Sequence, residues 1–429
     1  MTNQKPTTAS NHAIAAAVAE LRQELISSLQ DLVRIPSQTG AEGDAQAFMS
    51  ALMQRAGLNV DVWEPEVTAL APFAESVTLG EGFAERPNVV GFLPGTGRGR
   101  SLILNGHIDT VEVGDVAAWD VPPLSGEIRD GRLYGRGACD MKAGVLANLF
   151  AVKAVQRAGV ALAGDVIVES TISEEDGGAG ALAAVLRGYA ADGALISEPT
   201  NLAIIAAQGG SLMFRLRVPG LSAHACVRDE GVSAIENFAY LHQGLLQFEA
   251  RHSEEIDHPL YANKRNKAPL NIGTVRGGSW PSSVPEWLEA EGRAGLVPGE
   301  TLESMKVRLG DTVATLAEAH PWMKDHRPTI EWRDGQFAAA DVPLDHPLVQ
   351  NLSAAWSVVS GEPAQIDGAT YGADMRHFIM TGATPCVMFG AGDVRVAHAP
   401  NESISLADLT TAVETTAIFL AAWCGIDPR

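Results

Sequence analysis

Cysteine is scarce in this chain: four residues, Cys139, Cys226, Cys386 and Cys424, stand far apart and form no Cys-x-x-Cys pair. That excludes a disulfide framework and a thiolate zinc site, and it fits a reducing compartment. Long apolar runs are missing too: no stretch of about 18 apolar residues occurs. The polar start, Met1 to Asn11, has no basic segment leading into an apolar core. Neither a membrane span nor a secretory leader is expected, and the reading is a cytoplasmic protein. Basic side chains are outnumbered, 31 Lys and Arg against 52 Asp and Glu, for a formal net charge of -21. Such a surface repels nucleic-acid phosphates and anionic lipid, so neither nucleic acid nor membrane is an expected partner. Internal repeats and low-complexity linkers are absent as well.

What remains is an ordinary globular composition, 46% hydrophobic and 19% charged over 429 residues, room for two or three domains. Apolar residues recur at helical spacing over Ala13–Val33 and Asp44–Leu58, followed by the strand-like NVDVWEP. Short apolar runs at Asn88–Leu93 and Ser101–Asn105 precede a hairpin signal, Asp130-Gly131, between SGEIR and RLYG. An Ala- and Leu-rich helix over Asp140–Ala158, the strand DVIVESTIS, a helix over Ala179–Leu186 and the strand ALIS then alternate. This predicts an α/β fold, a mostly parallel sheet with helices on both faces. Near Gln208 the pattern changes to SLMFRLRV, alternating apolar and polar like a half-exposed strand. About four such strands and two helices, Val232–Arg251 and Thr301–Ala319, predict an α+β insertion. The expected organisation is a catalytic domain over residues 1–208 and 336–429, interrupted by an inserted domain over residues 209–335.

Five strings place acids and imidazoles at strand or helix ends. LNGHIDTV ends a buried-type strand in His107, with Asp109 two residues on. An isolated His-x-Asp is more often a hydrogen-bonded structural pair than a ligand. GRGACDMKAG brings Asp140 to a helix start, where an aspartate usually caps. STISEEDGGAG sets Glu174 and Glu175 side by side, mutually repulsive unless solvated, protonated or shared by a cation. LISEPTN ends another strand in Glu198, and VAHAPNE carries His398.

The ends of parallel strands are where open α/β sheets bind ligands. Two imidazoles and several carboxylates converging there, with no thiolate, match a cation of zinc type. With one histidine and one terminal carboxylate per ion and Asp140 shared, two tetrahedral sites each keep room for a water. Two Zn²⁺ against three carboxylates and a hydroxide come close to neutral. Water bound to zinc ionises near pH ~7. Five ligands suffice, so one of Glu174 and Glu175 is left to take a proton from water and hand it to a leaving amine.

Taken together and in this order, the strings resemble the metallopeptidase family of acetylornithine deacetylase, succinyl-diaminopimelate desuccinylase, aminoacylase and glutamate carboxypeptidase. The resemblance covers nearly the whole chain, including the insertion. It implies His107, Asp140 and Glu198 on one Zn²⁺, and Asp140, Glu175 and His398 on the other, with Co²⁺ or Mn²⁺ as possible substitutes. Glu174 resembles the general base, and Asp109 the carboxylate that orients the first histidine. The resemblance also implies a cis peptide at Asp140-Met141 and a ferredoxin-like insertion serving as dimerisation or lid domain. In PGLSAHA, His224 resembles a donor to the developing oxyanion, often supplied by the partner of a homodimer. In EAEGRAGLVPGE, Arg293 resembles the grip on a substrate carboxylate; Arg376, in GADMRHF, is a second candidate.

Two strings depart from the pattern. PSSVP carries Ser282 and Ser283 where the family tends to have asparagine, and ACVRDEG lacks its usual small hydroxyl residue. The expected activity is hydrolysis of a linear amide C–N bond, removing an N-acyl group from an amino-acid-like substrate through attack of zinc-bound hydroxide. A dipeptidase or carboxypeptidase with the same two ions is the alternative. A binding protein that keeps the fold without catalysis is the reading from another class. A dehydrogenase is disfavoured, because Gly-x-Gly pieces at Gly135 and Gly390 lack the full nucleotide-binding fingerprint.

Overall fold

A computed structural model describes residues 6–427. Residues 1–5 and 428–429, at the two ends of the expected catalytic domain, lie outside the described part. Two compact units emerge: one runs to Ala206 and resumes over Asp341–Asp367 and from Ala373 onward, and the other comprises Ala207–Ala340 with Gly368–Gly372.

The first unit is α/β. Four parallel strands form the centre of its sheet, in the order Val166–Thr171, Leu102–His107, Ala194–Ile196, Cys386–Met388. Every residue of these strands is buried, which is why they read as continuous apolar runs. The flanks are antiparallel: Asn88–Leu93 and then Asn59–Trp63 on one side, Ile204–Gln208 on the other. Helices Thr8–Arg34, Lys142–Arg157, Pro347–Ser360 and Leu406–Cys424 pack against one another. The first starts at Thr7, whose side chain accepts the N–H of Ser10, and it buries Ile14, Val18, Leu21, Leu25, Leu29 and Leu32, an i, i+3/i+4 stripe. Lys142–Arg157 is buried almost all round. It lies so close to the chain leaving the third parallel strand that a Cβ on Gly144 would meet the Ser197 carbonyl oxygen at 2.1 Å. The predicted hairpin is present, Glu127–Arg129 pairing with Arg132–Tyr134. Asp130 and Gly131 at its tip have φ of 51° and 74°, the left-handed pair that a two-residue turn of this kind requires. Ser403–Ser405 adds a third strand to that hairpin.

The second unit has the chain order βαββαβ. Its strands Gly210–Pro219, Leu270–Gly277, Trp287–Leu296 and Thr329–Trp332 form one antiparallel sheet, ordered second, third, first, fourth. This is the ferredoxin-like arrangement. Helices Ala234–Glu255 and Leu302–Ala319 pack with the sheet around Leu212, Phe214, Leu216, Leu241, Leu288 and Leu309. Such side chains contribute about 1.5–3 kcal/mol each when fully buried. Alternate residues carry charge instead, with Arg215 on Glu291 at 2.7 Å and Arg217 on Glu289 at 2.8 Å, and Arg293 follows at the same two-residue spacing along its strand. Among the described residues no helix is long and apolar enough to cross a membrane.

Candidate active site

The parallel strands deliver their side chains at their carboxyl ends. His107 is the last residue of Leu102–His107, Glu174 and Glu175 follow Val166–Thr171, Glu198 follows Ala194–Ile196, and His398 lies in the loop after Cys386–Met388. Asp140 stands just before helix Lys142–Arg157. It is not the cap expected of an aspartate there, because Met141 holds the N-cap position and makes no side-chain cap bond. The Asp140-Met141 peptide is cis, as the resemblance implied.

His107 is buried. Its Nδ1 lies 3.0 Å from the main-chain oxygen of Asp109 and 3.6 Å from that residue's carboxylate. A carbonyl only accepts, so Nδ1 carries the hydrogen. Nε2 then faces Asp140 Oδ1 at 3.2 Å and Glu198 Oε1 at 3.9 Å. His398, half exposed, places Nε2 at 3.3 Å from Asp140 Oδ2 and 3.0 Å from Glu175 Oε2. Two groups able to hold a cation result, His107–Asp140–Glu198 and Asp140–Glu175–His398, with donor atoms of each within 4.8 Å of one another. Asp140 serves both through its two oxygens.

The charges conflict as they stand. Burial, with Asp140 and other acids nearby, pushes Glu198 up to about 8 and raises Glu175 as well. Glu174 is held well above the carboxylate range by burial and by Asp374, Glu198 and Glu175, against the pull of His107. Burial works against charge on His107 and Asp140 too, but their mutual contact, with Asp109 and His398 as further partners, keeps the imidazolium and the carboxylate favoured. A pocket of clustered acids with two imidazoles and no thiolate is relieved by protons or by hard-to-borderline cations, and the donor set fits the latter.

Asp109 does more than orient an imidazole. Its carboxylate accepts the N–H of Glu174 and that of Glu175, each at 3.1 Å, and the Thr39 hydroxyl at 3.0 Å. It therefore clamps the backbone that carries both glutamates. The far side of that turn is held by Arg376, which is buried and donates to the carbonyls of Gly177 and Ala373, each at 2.7 Å. This shifts the reading of Arg376: a guanidinium sunk below the surface and engaged with main chain suits a buttress of the turn better than a grip on substrate. Glu42 and Arg86, unremarked in the sequence, form a bidentate pair at 2.7 Å, and Arg86 also reaches the Ser173 hydroxyl.

In the second unit His224 is exposed. Its Nδ1 accepts the N–H of Cys226 at 3.2 Å, so the neutral ring carries its hydrogen on Nε2. Arg293 is partly buried and lowered by that burial. Its Nη2 reaches the Thr370 carbonyl only at 3.5 Å, its Nε has no partner, and no carboxylate pairs with it among the described residues.

A parallel sheet whose strand ends gather these acids and imidazoles around a buried glutamate defines a hydrolase of amide bonds. The chain belongs to Peptidase family M20/M25/M40, which matches residues 103–422. It is 29% identical to the N-formyl-4-amino-5-aminomethyl-2-methylpyrimidine deformylase of Bacillus subtilis, over 96% of this chain and 97% of that one. It is also 29% identical to a succinyl-diaminopimelate desuccinylase of Gluconacetobacter diazotrophicus, over 92% and 96%. The fold is shared with a dinuclear metal-binding peptidase of Bacillus subtilis at a TM-score of 0.63 and 15% identity, covering 94% of this chain and 98% of that one.

Proposed function

We propose that this enzyme removes an N-acyl group from a small amino-acid-like substrate, using two divalent cations, Zn²⁺ in the first instance, held by His107, Asp140 and Glu198 and by Asp140, Glu175 and His398. The observation that carries this reading is the pair of donor groups sharing Asp140 beside the buried Glu174. Bound there, the cations supply Lewis acidity toward an amide carbonyl and let water ionise near neutral pH. Glu174, ionised when the adjoining groups hold cations, would take the proton from water and return it to the leaving amine. Asp109 fixes the His107 tautomer and the position of Glu174. His224, with its free hydrogen on Nε2, is the donor to the developing oxyanion, in its own or a partner subunit's site of a homodimer. The short acyl groups named for the deformylase and the desuccinylase support a deacylase over a peptidase. Free thiols at all four cysteines accord with a cytoplasmic setting.

Turnover of a panel of N-formyl, N-acetyl and N-succinyl amino acids beside simple dipeptides tests the assignment. Faster hydrolysis of an acyl amino acid is expected; turnover of dipeptides alone would replace it with the peptidase reading. Arg293 separates two kinds of amine. One charge-assisted pair is worth about 1.5–3 kcal/mol, so Arg293→Met should raise KM roughly 10–150-fold for a substrate carrying a carboxylate. A formylated aminomethylpyrimidine has no carboxylate, and its KM should hardly move.

Cation uptake should also release protons. His398 is pulled up to about 10 by its hydrogen bonds to Asp140 and Glu175, and Glu198 stands at about 8. Both therefore carry a proton at pH 7 before a cation binds, and both must lose it to become ligands. The His107 imidazolium, raised by its contacts with Asp109 and Asp140, must give up its Nε2 hydrogen as well, so binding at pH 7 should release about three protons, and affinity should fall as the pH drops further. Calorimetric titration in buffers of different ionisation enthalpy measures the release; uptake without release would contradict these protonation states.

A further inference from the structure

Glu402 has no part in the chemistry above, yet it is fully buried and its carboxylate gathers four donors. Oε1 accepts the N–H of Cys139 at 2.8 Å and of Asp140 at 2.9 Å. Oε2 accepts the N–H of Gly137 at 3.1 Å and Nη1 of Arg136 at 2.6 Å. The main-chain oxygen of Glu402 takes the N–H of Gly135 at 2.9 Å, and Ser403 pairs with Tyr134. One side chain thus ties down the whole loop that delivers Asp140, from a position four residues after His398.

We propose that Glu402 is a positioning residue that sets cation affinity by locking the Asp140 loop and the His398 loop into one register. This rests on the cation pair proposed above. Asp140 and His398 share a cation site but come from segments more than 250 residues apart, so their separation must be fixed by something other than the chain between them. Glu402 does so before any cation arrives, which spares the ion the cost of ordering the loop. The chemistry requires a carboxylate. Each oxygen already faces two donors, so an amide would turn an NH₂ toward two N–H groups whichever way it flips.

Glu402→Gln, nearly the same shape, is therefore expected to weaken Zn²⁺ binding about 10–100-fold, read by competition with a chromophoric chelator. The visible absorption of the Co²⁺-loaded variant should also shift, because the ligand geometry moves, a change that a loss of overall stability alone does not produce. Amide hydrogen exchange of the unsubstituted protein, stripped of cations, gives a second measurement that needs no variant: Gly137, Cys139 and Asp140 should be protected. Unchanged Zn²⁺ affinity and Co²⁺ spectrum in Glu402→Gln would overturn the inference, and so would free exchange of those three amides. If the variant does not fold, the exchange result decides. An unsubstituted protein that takes up no divalent cation would overturn the proposed function and this inference with it, whereas normal uptake with an indifferent Glu402→Gln would overturn this inference alone.

Discussion

Replacing Glu174 by Gln is expected to lower kcat by about 10²–10⁴, the range that a positioned general acid–base group supplies, while both cations stay bound. The separation of the two effects follows from where Glu174 sits. Its backbone N–H is pinned to Asp109, so the substitution leaves the turn in place, and its side chain belongs to neither cation-holding group. Gln fills the same volume in a pocket where Glu174 is only 8% exposed, but it cannot take a proton from water or return one to an amine. KM should change little, because the loss falls on the transition state rather than on substrate binding. Steady-state kinetics with metal analysis of the same sample checks both halves. Activity within threefold of the unsubstituted enzyme would remove Glu174 from the proton path.

Asp140→Asn should act the opposite way, through the cations. Asp140 is the only side chain common to both donor groups, with Oδ1 toward His107 and Oδ2 toward His398. The amide loses the negative charge and offers one oxygen where two are used. At about 1.5–3 kcal/mol for each charge-assisted contact, losing two corresponds to a roughly 10²–10⁴-fold weaker hold on the pair. The purified variant should carry fewer than two equivalents and show almost no turnover, with partial recovery when excess Zn²⁺ is added. Two tightly held equivalents in Asp140→Asn would show that the ions are not joined through this residue.

The sequence makes some of this centre legible and hides the rest, for physical reasons. A buried parallel strand is a short apolar run with an abrupt polar end, so LILNGH, VIVEST and ALIS announce both the strand and the place where a functional side chain can emerge. The Asp-Gly turn is equally local, since its two left-handed residues select the residue types. Asp140 is harder, because an aspartate just ahead of a helix has a local use as a cap; only the folded chain shows that the cap position falls to Met141. Arg376 is hard to read for a related reason: its bond to the Gly177 carbonyl joins it to chain 199 residues away. Glu402 lies within the string that carries His398, but three of the four donors to its carboxylate are main-chain N–H groups, which have no signature in a sequence of side chains. Helix Pro347–Ser360 has a clear Pro at its first turn and Gly361 after its end, yet it stands outside the elements assigned from periodicity.

The cation pair is the claim on which the other expectations depend, and its most direct test is the location of metal in crystals of the purified protein by anomalous scattering at the zinc edge. The account predicts two peaks, one bounded by His107, Asp140 and Glu198 and the other by Asp140, Glu175 and His398, with Asp140 touching both. Crystals grown with excess Zn²⁺ that show no anomalous peak among these side chains would contradict it.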